Sequence, residues 1–251
     1  IKQKGTIMPN YKLTIRYDGS RYFGWERQPG RETIQGKLEA VLSEMTGEPV
    51  EVIGAGRTDA GVHAKAMIAN VHLGTASAPD RIRDYLNRYL PEDIAVDEVK
   101  PAADGFHARY KAAGKLYTYT CWIGELKPVF GRKFLTVLEK APDIERMRTA
   151  AAYLIGEHDF RSFCGNPKMK KSTVRRVDSI EIEQHGPKIT FTYHGSGFLQ
   201  YMVRILTGTL VEVGLGERAP EDMPRVLAAL DRSAAGHTMP PEGLFLDYVT
   251  Y

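Results

Sequence analysis

The chain has 251 residues, 43% hydrophobic and 26% charged, with 34 basic and 31 acidic side chains and a formal net charge of +3. This composition excludes a disordered or low-complexity chain and suffices for one or two domains with real cores. The mild positive balance permits a polyanionic partner without demanding one. Two cysteines, Cys121 and Cys164, make neither a disulfide framework nor a metal-ligand pair, which points to reduced thiols and a cytoplasmic protein. No apolar run is long enough to span a bilayer, so no membrane partner is expected, and the opening IKQKGTI lacks the apolar core of a signal peptide. Met8 reads as a natural start, so residues 1–7 are expected to lie outside the fold.

Residues 11–17, YKLTIRY, alternate apolar and polar, the pattern of a half-buried strand. A polar loop, DGSRYFGWERQPGRE, follows it. Thr33 caps a helix whose apolar face is Ile34, Leu38, Val41, Leu42 and Met45, and Gly47 ends it. VEVI (50–53) predicts a second strand and AMIANVHL (66–73) a third. Pro79 opens a helix with Ile82, Tyr85, Leu86 and Tyr89 turned inward, stopped at Pro91. IAVDEVK (94–100) is a fourth strand.

The first half thus reads β-α-β-β-α-β, and the second repeats that order in pattern only. LYTYTCWI (116–123) is a strand and DIERMRTAAAYLIG (143–156) a helix. VRRVDSIEIEQ (174–184) and KITFTYH (188–194) form a hairpin around His185-Gly186-Pro187. FLQYMVRILTGTLVEV (198–213) is a strongly apolar helix, fit for core or interface, and PEDMPRVLAALD (220–231) an added one before the last strand, LFLDYVTY (244–251). The expected fold class is α/β (α+β): two ferredoxin-like, RRM-like halves, residues 8–104 and 105–251, packed as one unit with a central, mostly antiparallel sheet. Such sheets are a common RNA platform, yet they host many unrelated functions.

The loop GAGRTDAGVHA (54–64) carries the clearest chemical signal. A phosphate cradle of the G-x-G-x-x-G kind needs a glycine where Asp59 stands, and a helix after it, so that reading fails. A tight turn with an aspartate bonding its own backbone is the ordinary alternative. Against it stands Arg57, two residues away and placed to pair with Asp59 and keep the carboxylate ionised and aimed. Small neighbours leave room for a planar substrate, and an oriented carboxylate serves as nucleophile, base or charge stabiliser.

KLYTYT (115–120) sets Tyr117 and Tyr119 on one face of a strand, either as packing or as a base-stacking platform with a phenol at hand. KMKKSTVRR (168–176) holds five basic residues in nine, a solvated loop or, beside an RNA platform, a phosphate contact through Lys168, Lys170 and Lys171. Arg16, Arg21, Arg27, Arg81, Arg83 and Arg88 are candidates to extend that surface. Arg204 is the odd residue in an apolar helix, reaching the surface or pairing with a buried acid. The seven histidines show no metal-ligand spacing, so no metal site is expected.

With these residues in view, the chain resembles the bacterial tRNA pseudouridine synthases of the TruA family from about Tyr11 to Tyr251. The resemblance is carried in order by YDGSRYFGWERQ, TIQGKLE, GAGRTDAGVHA, FHAR, KLYTYT, GEHDFRSF, GFLQYMVR and EGLFLDYV. It implies an isomerase that converts uridine to pseudouridine in the tRNA anticodon stem-loop, typically at nucleotides 38, 39 and 40. It implies no cofactor and no metal, tRNA as partner, and a homodimer. The catalytic aspartate, in the role of nucleophile, falls on Asp59, its arginine on Arg57 and the active-site tyrosine on Tyr117. Arg204 falls on an arginine that lies near the aspartate in that family. Arg57 and Tyr117 would also bind substrate, with Lys168, Lys170 and Lys171. Two departures stand out. Glu26 replaces a common glutamine in GWERQ, and Leu199-Gln200-Tyr201 replaces a segment often rich in histidine. They keep open a paralogue acting on another RNA, beside a non-catalytic RNA-binding protein and a hydrolase of small nucleosides.

Overall fold

A computed structural model describes residues 8–74, 77–126 and 128–251. The expectation for residues 1–7 lies outside the described residues. The chain divides into two units, one of residues up to Ala113 plus Leu246–Tyr251, the other Gly114–Phe245.

The first unit opens with β1 (Asn10–Tyr17), and the expected alternation is present: Leu13 and Ile15 are fully buried while Arg16 is exposed. Helix α1 (Ile34–Thr46) starts where Thr33 accepts the Gly36 N–H and stops at left-handed Gly47. β2 (Val52–Gly54) and β3 (His63–His72) flank the Asp59 loop. α2 (Pro79–Tyr89) and β4 (Ile94–Ala102) follow. The strands order as β4-β1-β3, with β2 also on β3, and every one of these pairings is antiparallel. Ile34, Leu38, Leu42, Ile82 and Leu86 from the helices bury against the sheet. Tyr89, expected inward, is half exposed; only Ile82 and Leu86 of α2 are buried, because α2 rests on β4 and α1 through a narrow stripe.

The second unit contains β5 (Gly114–Trp122), β6 (Thr136–Val137), α3 (Ile144–Ala152), β7 (Gly156–Asp159), β8 (Val174–His185), β9 (Lys188–Gly195), α4 (Met202–Gly214) and α5 (Met223–Ala229). Its strands order as β5-β9-β8-β7, all antiparallel, with β6 parallel to the end of β5. The hairpin turns at His185-Gly186-Pro187 as expected, with Gly186 at φ 58°. Helix α4 begins at Met202 rather than Phe198, and eleven of its residues are buried, so it is the core of this unit. The last strand, β10 (Leu244–Thr250), returns to the first unit from Leu246 onward.

The division at Ala113 differs from the expected 8–104 and 105–251, and the reason is a polar network. Asn10 Nδ2 donates to the carbonyls of Ala103 and Phe106, and Asn70 Oδ1 accepts the Ala108 N–H at 2.8 Å. Tyr251 donates to the Ala108 carbonyl at 2.8 Å, holding the chain end in the first unit. Buried amides satisfied in this way fix the segment after β4 to the first unit. Among the described residues no helix is long and apolar enough to cross a membrane.

Candidate active site

Asp59 sits at the head of a reverse turn: the Val62 N–H donates to its carbonyl at 3.1 Å, and Gly61 has φ 80°, as the third residue of a type II turn requires. Both arms of this loop are clamped. On one side Ala55 N–H donates to Ile68 at 2.7 Å; on the other β3 starts at His63, earlier than the sequence pattern suggests.

The clamp is completed by the loop after β1. Trp25 N–H donates to the Thr58 carbonyl at 3.0 Å, Gly61 N–H to Tyr22 at 3.2 Å, and the Tyr17 and Thr58 hydroxyls share a 2.8 Å bond. Glycines let these two backbones touch. A Cβ at Gly24, itself at φ 92°, would lie 2.6 Å from the Thr58 carbonyl oxygen; one at Gly19 would lie 2.0 Å from that of Val62. The fully buried His63 accepts the Gly19 N–H at Nδ1, 3.0 Å away, and so acts as a strut. Tyr22 donates to Asp93 at 2.6 Å, and its phenol is pushed up to about 12, by burial first and then by Asp93. The motifs YDGSRYFGW and RTDAGVHA are therefore one structure. They present a half-buried Asp59 on a rigid backbone.

Arg57 is spent differently from the expectation. Its guanidinium pairs with Glu26 at 2.6 Å, not with Asp59. The Trp25–Thr58 hydrogen bond lays the two segments side by side, which puts Glu26 opposite Arg57. The carboxylate that departs from the family pattern thus has a local partner.

In the second unit, Tyr117 lies on β5, buried, with its ring edge-to-face on Phe198 at 5.3 Å. Tyr119, on the same face, is fully buried and bonded to Thr136 at 2.6 Å and to the Pro240 carbonyl at 2.8 Å. Tyr119 is therefore a core residue. Arg204 on α4 donates to the Met239 carbonyl at 2.6 Å and lies over the Tyr201 ring at 5.0 Å. Tyr201 holds φ 60°, a strained value for a bulky residue, and packs so tightly on Gly165 that a Cβ there would fall 2.2 Å from its ring. Sequence reasoning missed this Gly165–Tyr201 contact, and no local signal marks it.

Lys168, Lys170 and Lys171 are exposed on the loop between β7 and β8, and none pairs with a carboxylate among the described residues. The other expected basic residues behave otherwise. Arg16 pairs with Asp97, Arg21 with Asp93 and Arg27 with Glu39. Those three arginines are neutralised where they stand. Among the described residues no cluster of three or more histidine, cysteine, aspartate or glutamate side chains is placed to hold a metal. Asp59 and Arg57 belong to the first unit; Tyr117, Arg204 and the three lysines belong to the second.

The family model described as tRNA pseudouridine synthase matches residues 13–111 and 150–251. The chain is 46% identical over 245 residues to tRNA pseudouridine synthase A of Bacillus sp. (strain KSM-64), covering 97% of this chain and 100% of that one. It is 42% identical to tRNA pseudouridine synthase A 2 of Bacillus anthracis over 245 residues, with the same coverage. It is 43% identical to tRNA pseudouridine synthase A of Geotalea uraniireducens (strain Rf4) over 244 residues, covering 97% and 100%. With the clamped aspartate loop and this similarity running through both units, the chain belongs to the tRNA pseudouridine synthase family.

Proposed function

We propose that this enzyme isomerises uridine to pseudouridine in the tRNA anticodon stem-loop, at nucleotides 38, 39 and 40, with Asp59 as its catalytic carboxylate. The observation that carries this reading is the clamped RTDAGVHA loop, which holds one half-buried carboxylate on a backbone fixed from both sides. The reaction breaks C1′–N1, turns the base, joins C5 to C1′ and moves the C5 proton away, with no net change of atoms. Asp59 acts as nucleophile toward C1′ or the ring, or takes the 2′ proton in a glycal route. A fixed carboxylate costs no reorganisation at the moment of reaction. The target base leaves the stack to reach it. Tyr117 stacks on that base and takes the C5 proton at the end. Arg57 and Arg204 contribute charge at the site, and Lys168, Lys170 and Lys171 hold tRNA phosphates.

Two buried, unpaired cysteines fit a cytoplasmic protein. A homodimer is the assembly we infer, and Leu126, Val129 and Phe130, exposed on one loop of the second unit, offer apolar surface for it.

Tritium release from tRNA labelled at uridine C5 tests the reading. Wild type should release tritium, while Asp59→Asn should lose roughly 10³-fold or more in rate and still bind tRNA. Partial activity with weak binding would make Asp59 structural. Tyr117→Phe keeps the ring, so binding should hold while the rate falls about 10²-fold. Full activity in that variant would remove Tyr117 as the base.

A further inference from the structure

We propose that the outer face of α2 is a separate RNA contact that seats one unstacked nucleotide of the bound tRNA. The inference rests on the reading of this chain as a tRNA-modifying enzyme.

Arg81, Asp84, Tyr85, Arg88 and Tyr89 recur at helical spacing on one side of α2 and line a shallow depression of about 260 Å³. That is below the range of about 300 Å³ and upward typical of drug-sized pockets, and it suits a single base better than a larger ligand. The Tyr85 and Tyr89 rings lie 4.5 Å apart between centroids, and Tyr89 is half exposed. The Arg88 guanidinium lies 5.7 Å over the Tyr89 ring. Half-exposed aromatic rings on a surface helix gain nothing for the core, which here is filled by Ile82 and Leu86.

The charge arrangement selects an anion. Arg83 bridges both acids of the helix, Asp80 at 3.1 Å and Asp84 at 2.9 Å. Arg81 and Arg88 pair with no carboxylate among the described residues, unlike Arg16, Arg21 and Arg27 on the same unit. Glu44 is the other acid near this face; after burial, it helps keep the Tyr85 phenol above its usual range, so that ring stays neutral. Two uncompensated guanidinium groups flanking paired aromatic rings are what a nucleotide requires: phosphate on the arginines, base on the ring. No described hydrogen bond or ion pair joins these residues to the 18–32 loop or to the 54–64 loop, so this face is not part of the Asp59 clamp.

The test compares tRNA binding by wild type, Arg81→Gln/Arg88→Gln and Tyr89→Ala across a salt series, with tritium release and sedimentation run alongside. All three substituted positions are on the surface. The double variant should weaken binding about tenfold and flatten the log–log salt slope by nearly two, at about 0.9 per phosphate lost. Tyr89→Ala should weaken binding several-fold with the slope unchanged, since stacking releases no counterions. Wild-type affinity and slope in both variants would overturn the proposal. So would a change of oligomeric state with tRNA binding intact, which would make this face a protein interface. Binding losses as described with no tritium release by wild type would leave the contact standing and sink the proposed activity instead.

Discussion

Between Gly54 and Ala64 the backbone is held by Trp25, Tyr22 and Ile68, and glycines let the neighbouring chain approach to van der Waals contact. Between Asn166 and Ser172 there is little of this. Asn166 caps the turn by accepting the Lys168 and Met169 N–H groups, and no described hydrogen bond or ion pair involves Lys170 or Lys171. The two loops answer different physical demands. A carboxylate that must meet one atom of a substrate needs a fixed position, since misplacement by about 1 Å can cost roughly 10²-fold in rate. An ammonium group that meets a phosphate works through charge and counterion release, and gains from reach. The contrast teaches that rigidity here is localised at the chemistry, and is built from close backbone contact rather than from bulk.

Breaking the clamp should have the largest effect. Gly24→Ala adds a methyl group 2.6 Å from the Thr58 carbonyl at a φ that disfavours any side chain. The expected cost is about 1–3 kcal/mol of stability and about 10²-fold in single-turnover rate, with tRNA affinity largely kept. Gly30→Ala is the control, because Gly30 also has positive φ (69°) but nothing lies within 4 Å of its would-be Cβ. It should lower the melting temperature and leave the rate unchanged. Equal rates in the two variants would show that the close approach at Gly24 does not aim Asp59.

The lysine loop should fail in the opposite way. Changing Lys168, Lys170 and Lys171 together to Gln should weaken tRNA binding at least tenfold and flatten the salt slope by about two to three, with the rate at saturation kept. Filter binding over a salt series measures this. An unchanged slope would move the RNA path off this loop.

Much of this was legible in the residues themselves. Thr33 and Gly47 bound α1 as their chemistry requires, and the alternation of YKLTIRY gave β1 its buried face. The resemblance placed Asp59 and Tyr117, and the three lysines were visible as a charge run. What stayed hidden depends on contacts distant in sequence. The apolar Phe198–Tyr201 stretch reads as helix, yet Tyr201 turns left-handed against Gly165. β7, a polar GEHD, reads as loop and is a strand only because β8 pairs with it. The boundary after β4 depends on Asn10 and Asn70, two buried amides whose partners lie far along the chain. Arg57 and Asp59 are neighbours in sequence, but the partner of Arg57 comes from a segment brought alongside by the Trp25–Thr58 hydrogen bond.

That last contact sharpens the comparison, because it puts a charge pair of the exposed kind on the clamped loop. Glu26 and Arg57 are each about half exposed, 48% and 56% by side chain. A pair so solvated contributes at most about 1 kcal/mol to folding, so Glu26→Gln should leave the melting temperature nearly unchanged. Its effect on RNA has the opposite sign from the lysine changes. In the wild type the carboxylate neutralises Arg57 and repels phosphate; with Gln the guanidinium is left uncompensated. Binding at low salt should tighten by a few fold, and the salt slope should steepen by about one counterion, roughly 0.9. If the slope does not move, Arg57 does not meet a phosphate, and the clamped loop contributes chemistry while the lysine loop alone contributes charge.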